Sequence, residues 1–229
     1  MNNIGILLPA YNEEKNIAAV IKEAKRSLPS AQIIVVNDGS SDRTSEIARK
    51  LNVLVVDHTK NMGKGEALRT GLDIFNRDFR SVKYIVVADA DRQYSIREAN
   101  RLLKPLIGGE ADFVMGKRDF STVPARHRLG NWVWRNAFNL WFKTNYPDTN
   151  CGFIAMTKEA ANAVMKTLGG GYIIETTLLT QAIKRGFRVS HVGVSVTYTN
   201  TSGVLRGVLM VAGVLVFIFK NGMKYSRKR

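Results

Sequence analysis

The sequence predicts an α/β fold in which a mostly parallel sheet is flanked by helices, and three observations carry that reading. Short apolar runs rich in Val and Ile alternate through the first half with segments whose apolar residues recur at three-and-four spacing, the pattern of strands followed by amphipathic helices. Acidic and small residues gather in the segments after those runs, at the strand ends where open parallel sheets bind ligands. With 229 residues and 45% apolar content, the chain has material for one large domain.

Strands are predicted at Ile4 to Leu8, Gln32 to Val36, Val53 to Val56, Tyr84 to Ala88 and Asp112 to Met115. Helices are predicted between them, at Glu14 to Ser27, Asp42 to Leu51, Glu66 to Phe75 and Ile96 to Leu106. Such alternation builds a Rossmann-like sheet covered on both faces. The second half is less regular. It reads as an aromatic and basic helix from about Leu129 to Asn145, a turn at Pro147-Asp148, a strand around Gly152 to Met156, two helices, and a strand pair near Arg188 to Tyr198. There is no internal repeat or low-complexity stretch.

A formal charge of +15 draws the surface toward phosphates of nucleotides, lipid headgroups or nucleic acid. Nucleic acid is the disfavoured partner, because acids at the strand ends repel a polyanion unless a metal intervenes. The single cysteine, Cys151, excludes an intramolecular disulfide, and Met1 leads into the first strand without a signal-type apolar stretch, so a cytoplasmic chain is expected. The apolar run Gly207 to Phe219 would make a helix of about 20 Å against roughly 30 Å of bilayer hydrocarbon. It is too short to span unaided, yet five of the last ten residues are basic, and an apolar anchor followed by basic residues fits two-signal binding to anionic lipid. A buried helix is the alternative.

Between Lys117 and Lys143 there are six Lys or Arg and one Asp, and all three tryptophans, Trp132, Trp134 and Trp141, lie there. Aromatic and basic side chains together suit a headgroup zone, while Trp134, Phe138, Trp141 and Phe142 also fall at the spacing of a core-packing stripe. Arg126, Arg128 and Arg135 are candidates in this stretch for holding an acceptor phosphate.

Asp89-Ala90-Asp91 follows an apolar strand, whose alternation would let both carboxylates reach one point at its end. Two carboxylates with substrate phosphates make a Mg2+ or Mn2+ site, to which Gln93 can add a neutral oxygen. Asp38 stands beside Gly39, whose missing side chain lets backbone approach a ligand, and its carboxylate can accept from a nucleobase or ribose. Asp42 is better placed to cap the next helix. Tyr11 offers a flat face for a base and Glu13 a second acceptor. Asn61-Met62-Gly63-Lys64-Gly65-Glu66 is not a P-loop, because Glu66 replaces the Ser or Thr after Gly-Lys and the first Gly is missing; Lys64 neutralises a diphosphate or is solvated.

Pro-Ala-Tyr-Asn-Glu-Glu, Asn-Asp-Gly-Ser-Ser-Asp, Asn-Met-Gly-Lys-Gly-Glu-Ala and Asp-Ala-Asp, in this order, resemble the second family of glycosyltransferases. Asp89 to Tyr94, Gly116-Lys117-Arg118 and Asp148 to Phe153 look like the polyprenyl-phosphate hexose synthases, typified by the dolichyl-phosphate mannose and glucose synthases. The resemblance covers about residues 4 to 200 and implies a GT-A fold. It implies a GT-A domain over 1–202, with a nucleotide-sugar half (1–118) and an acceptor half (119–202), ahead of a membrane-associated helical tail (203–229). By motif match, Pro9, Tyr11, Glu13 and Asp38, with Ala10, Gly39 and Ala90 beside them, hold the nucleotide; Asp89 and Asp91 hold metal and diphosphate with Gln93 assisting; Arg118 takes a phosphate of donor or acceptor. Where relatives often carry Arg followed by Gly-Ser-Lys, this chain reads Tyr198 to Arg206, and Arg206 is the only local substitute.

The function these readings imply is inverting transfer of a hexose from a nucleoside-diphosphate sugar to a polyprenyl phosphate at the cytoplasmic face of a membrane. A lipid phosphate is mostly ionised at neutral pH and needs no general base. A hydroxyl acceptor on a glycan or lipid is the alternative and would need one, with Glu175 or Asp148 available. A nucleotidyltransferase is a more distant alternative, distinguished by release of diphosphate. The sequence carries no signature of oligomeric state.

Overall fold

The computed structural model describes residues 3–119, 125–168, 173–197, 213 and 215–223, and of 125–127 the backbone alone. Seven strands form one sheet in the order β3-β2-β1-β4-β6-β5-β7. β1 (Ile4–Ala10) lies between β2 (Gln32–Asn37) and β4 (Tyr84–Val87), parallel to both, and β3 (Leu54–Asp57) continues beyond β2. The chain therefore moves outward from β1 to β3 and then returns to the other side of β1. Strand order reverses there, which opens a crevice beyond the carboxyl ends of the strands.

The remaining strands make the sheet mixed. β6 (Ile154–Thr157) runs antiparallel to both β4 and β5 (Phe113–Arg118), and β7 (Val189–Val194) pairs in parallel with β5. Among the described residues, the strand pair expected near Arg188 to Tyr198 is one strand, followed by an isolated bridge between Val196 and Tyr94; Tyr198 lies outside the described residues. The partner of β7 is the distant β5, which it meets in parallel.

Helix α1 (Ile17–Ser27) buries Ile17, Val20, Ile21 and Ala24 along one stripe, and Lys25 and Arg26 sit at its carboxyl end, where cations favour the helix dipole. α2 (Thr44–Arg49) is shorter than predicted. α3 (Lys64–Arg77) matters most for the site, because it packs so closely on β1 that side chains are excluded at two points. A Cβ on Gly71 would stand 2.1 Å from Leu7 Cδ1, and one on Gly5 would stand 2.5 Å from the Phe75 ring. That contact fixes the start of α3, and Lys64 with it, beside the end of β1. A 3-10 turn (Ile96–Glu98) leads into α4 (Ala99–Ile107), which buries Leu102, Leu103 and Leu106.

α5 (Ala125–Phe142) resolves the double reading of its tryptophans. Trp134, Phe138 and Phe142 form the buried stripe, with the rings of Phe138 and Phe142 stacked at 4.5 Å. Leu129, Trp132 and Leu140 are 65%, 57% and 77% exposed on the opposite side. α6 (Lys158–Met165) starts with the Thr157 hydroxyl accepting from Ala160 N, and α7 (Ile174–Lys184) follows. The helical residues 215–223 dock on this layer: Ile218 is buried, the Phe219 ring meets Trp141 edge-on at 5.0 Å, and Lys184 Nζ donates to Asn221 Oδ1 at 2.8 Å. Among the described residues no helix is long and apolar enough to cross a membrane. The rest of the predicted tail, with Arg206, Lys224, Arg227, Lys228 and Arg229, lies outside the described residues.

Candidate active site

The crevice at the strand reversal holds a cavity of about 750 Å³ lined by the loops after β1, β2, β3 and β4, the start of α3 and the start of α7. Pro9, Ala10, Tyr11, Glu13, Asp38, Lys64, Asp89, Ala90, Asp91 and Glu175 all line it. These are ten of the candidates drawn from the sequence, brought together from segments as far apart as Pro9 and Glu175. Asn61, Met62, Gly63, Ala67 and Ile174 complete the wall. Asn61, Met62, Gly63 and Ala67 belong to the Asn-Met-Gly-Lys-Gly-Glu-Ala motif, and Ile174 carries no signal of its own in the sequence.

The loops lock one another. Asn12, at φ +56°, donates its backbone N–H to Ser40 Oγ and accepts from Ser41 N on its side-chain oxygen. Asp42 is not the N-cap of α2, a position held by Arg43; it accepts from Thr44 N just inside the helix and from Glu14 N, tying the β1 loop to the β2 loop. Burial opposes its ionisation, but the hydrogen bonds from Thr44 and Glu14 prevail and hold its carboxyl below the ordinary value. Gly39, at φ +71°, does not line the cavity. A Cβ there would lie 2.3 Å from the Lys60 backbone, so it permits the β2 loop to touch the strand of chain leading to Lys64.

Asp38 is nearly buried and already holds three partners: Met62 N at 2.9 Å, Gly63 N at 2.8 Å and His58 Nδ1 at 2.7 Å. The other ring nitrogen of His58 lies 2.9 Å from Thr70 Oγ1 on α3. A carboxylate has about four acceptor directions, so three of those of Asp38 are committed to organising the 58–63 loop. His58 was missed from the sequence, since nothing local marks it.

Asp89 and Asp91 converge for a reason other than the one expected. β4 ends at Val87, and both acids sit on the turn beyond it, where Arg92 takes φ +62° and Asp91 Oδ1 accepts from Gln93 N at 2.9 Å. The turn, not strand alternation, brings them to the cavity. Gly152 lies against this turn: a Cβ there would stand 2.4 Å from Asp89 Oδ2. Gln93 is not among the lining residues; its backbone is engaged with Asp91 and Thr197.

Five carboxylates, Glu13, Asp38, Asp89, Asp91 and Glu175, thus face a single ammonium, Lys64, around the cavity. Lys64 Nζ lies 2.5 Å from Asp89 Oδ1 and 2.6 Å from Glu175 Oε1. Desolvation disfavours its charge, yet the two carboxylates hold its pKa above the ordinary lysine value. Glu175 is likewise driven up by burial and pulled down further by Lys64, ending below the ordinary value. Asp89 ends above it, because burial and the charges of Glu175 and Asp91 outweigh Lys64. Asp91 and Glu13 are also raised, chiefly by burial. The cavity is therefore short of cations. Among the described residues no three His, Cys, Asp or Glu side chains close a metal cage, so the hard oxygens of Asp89 and Asp91 fit an ion whose other ligands come from phosphates and water.

The acceptor-side candidates behave differently. Arg118 is buried in a bidentate pair with Asp148, Nε to Oδ2 at 2.8 Å and Nη2 to Oδ1 at 2.9 Å, and also donates to Asn131 Oδ1 on α5. Desolvation works against its charge and Asp148 more than compensates, so its pKa is raised. This pair ties β5 to the turn before Cys151. Asp148, only 2% exposed, is removed as a general base: its two oxygens are held by a guanidinium. Arg128 is exposed and Arg135 half-buried on α5, and the Arg126 side chain lies outside the described residues.

Comparison with known proteins adds independent findings. The family model described as Glycosyl transferase family 2 matches residues 5–164. The polyprenol monophosphomannose synthase of Mycolicibacterium smegmatis is 29% identical over 211 residues, covering 85% of this chain and 76% of that protein. The UDP-N-acetylglucosamine–dolichyl-phosphate N-acetylglucosaminyltransferase of Methanococcus voltae is 26% identical over 238 residues, covering 93% of each. In fold, the chain is similar to glucosyl-3-phosphoglycerate synthase from Mycobacterium tuberculosis, crystallised with Mn2+, uridine-diphosphate-glucose and phosphoglyceric acid, with a TM-score of 0.74, 22% identity, and 96% of this chain and 80% of that chain covered.

Proposed function

The chain belongs to family 2 of the glycosyl transferases, and from that premise we propose that it transfers a hexose, with inversion, from a nucleoside-diphosphate sugar to a polyprenyl phosphate at the cytoplasmic face of a membrane. The observation that carries the donor half is the cavity: five carboxylates and one lysine repel a diphosphate anion unless a divalent cation accompanies it. Asp89 and Asp91 would hold Mg2+ or Mn2+ there, and the ion would neutralise the leaving nucleoside diphosphate. Tyr11, about half exposed over the cavity, suits stacking by a base, Asp38 offers its remaining acceptor direction, and Lys64 carries the positive charge for a diphosphate oxygen. These side chains are held by interlocked loops, so their contribution is orientation and charge stabilisation.

The acceptor half rests on a different argument. Asp148 is committed to Arg118, and Glu175 is held ionised by Lys64, with a pKa below the ordinary value that makes it a weak base. An acceptor that is already an anion, such as a lipid phosphate, needs neither. The relatives named for polyprenol monophosphomannose and dolichyl-phosphate transfer agree with that class. The exposed Leu129, Trp132 and Leu140 on α5, with Arg128 and Lys143 exposed on the same helix region, give a surface suited to apolar and anionic contact with lipid headgroups.

Assaying a panel of nucleotide sugars against a short polyprenyl phosphate and the matching polyprenol tests the proposal. Metal-dependent release of nucleoside diphosphate with glycosyl-phosphate lipid as product is expected, with the alcohol inert. Transfer to the alcohol or to a soluble sugar, with none to the phosphate, would overturn the acceptor.

A further inference from the structure

Lys64 is held at the bottom of the cavity by backbone as well as by charge. It opens α3, directly after Gly63 at φ +92°, whose N–H is bonded to Asp38, and α3 is pressed on β1 through Gly71 and Gly5. Its ammonium bridges Asp89 Oδ1 and Glu175 Oε1, two acids 86 residues apart in sequence. Asp89 is therefore not an open ligand: an ion approaching that oxygen meets a positive charge 2.5 Å from it. Gly152, on the far side of Asp89, leaves no room for the carboxylate to turn away from Lys64 without touching backbone.

We propose, resting on the donor reading above, that Lys64 is the resident counter-cation of this carboxylate pair, excluding free divalent metal and surrendering Asp89 only when a nucleoside diphosphate arrives with the ion. The exchange balances in charge and contacts. Lys64 leaves Asp89 Oδ1 for a diphosphate oxygen and keeps Glu175, so that Asp89 Oδ1, staying where it is, is freed for the ion. The diphosphate is needed on both sides of the exchange, because it offers Lys64 a replacement anion and gives the ion the oxygens that two aspartates cannot supply. Metal and nucleotide binding are then positively coupled, and the coupling is reciprocal. Lys64 acts as a positioning residue that sets the order of binding, in addition to contacting the donor.

Mn2+ binding, followed by the electron paramagnetic resonance signal of the free ion, reads this without turnover. The wild-type chain is titrated with Mn2+ alone and with saturating UDP or GDP, beside Lys64→Met and Lys64→Arg. The expected results are weak Mn2+ binding by the nucleotide-free wild type, tightened by nucleotide. In Lys64→Met, nucleotide-free affinity should rise on the order of tenfold, because a charge next to the ligand oxygen is gone, and tightening by nucleotide should shrink. Lys64→Arg, which keeps a cation, should stay near wild type without nucleotide. Unchanged or weaker nucleotide-free affinity in Lys64→Met would overturn the proposal; Lys64→Gln carries the same test if the Met variant does not fold. Neither sugar nor acceptor enters the titration, so that outcome leaves the transfer reading standing. Failure of UDP and GDP to tighten Mn2+ binding to the wild type would instead count against the donor reading itself.

Discussion

At the ends of β1, β2 and β4 and the start of α7, five carboxylates share one lysine, whereas at the end of β5 and the turn before β6 the buried acid Asp148 is matched by a bidentate arginine, Arg118. The first arrangement leaves charge uncompensated at an opening where a ligand can supply it. The second compensates charge inside the protein, where an unpaired ion is costly. The two regions therefore respond to the same kind of substitution in opposite ways: removing an acid should relieve the cavity and damage the buried pair.

The largest effect is expected on the compensated side. Asp148→Ala strips the carboxylate from the buried Arg118 guanidinium and should cost about 3–5 kcal/mol of stability, read as a lowered urea midpoint. A change under 1 kcal/mol would mean that water or another partner reaches Arg118 and that the contrast between the regions is overstated. Next comes Gly152→Ala. Its Cβ would displace the Asp89 carboxylate, the movable end of a side chain, so the fold should survive while Mn2+-supported nucleotide binding weakens roughly 10–100-fold, the equivalent of the 1–3 kcal/mol typical of overpacking. Equal binding in wild type and variant would remove Asp89 from the ion's ligands.

The same contrast explains what could be read from sequence. The donor loops are contiguous runs, Pro9 to Glu14, Asn37 to Asp42 and Asp89 to Asp91, and each brings its chemistry and its own turn residues together. Their convergence followed from parallel strands alone, since such strands put all their following loops at one edge. What escaped were partnerships across the chain. Arg118 and Asp148 were visible singly, as a phosphate ligand and a base, but their pairing joins β5 to a turn thirty residues later and changes both roles. Lys64 with Glu175 is the same case at 111 residues' separation. His58 lies in a loop with no pattern and becomes meaningful only beside Asp38 and Thr70. β7 was misread for a related reason, because its neighbour is set by tertiary packing and not by the adjacent sequence.

Acidification separates function from stability in the cavity. Asp89, Asp91 and Glu13 all hold their protons to higher pH than ordinary carboxyls, and an ion binds only the ionised forms. Mn2+-supported nucleotide binding should thus weaken on lowering pH, beginning above the usual aspartate value of 3.8, by about tenfold per pH unit for each proton displaced. Affinity that is flat down to pH 4 would contradict the raised values. For folding the sign is reversed. A carboxyl with a raised folded pKa contributes stability below its unfolded pKa, and that contribution disappears as pH rises through the folded value. Near neutrality the crowded acids are then a burden, and Asp91→Asn, while losing metal-dependent turnover, should raise Tm slightly, by about 2–4 °C at most. A lowered Tm would show that Asp91 is compensated like Asp148.

The central claim is that this cavity accepts a nucleoside diphosphate only together with a divalent cation held by Asp89 and Asp91. Calorimetric titration of UDP and GDP into the wild-type chain and Asp91→Asn, each with Mn2+ and with EDTA, tests it most directly. The account predicts saturable binding of at least one nucleotide to the wild type with Mn2+, and its loss both in EDTA and in Asp91→Asn. Equal nucleotide affinity with Mn2+ and with EDTA would contradict it.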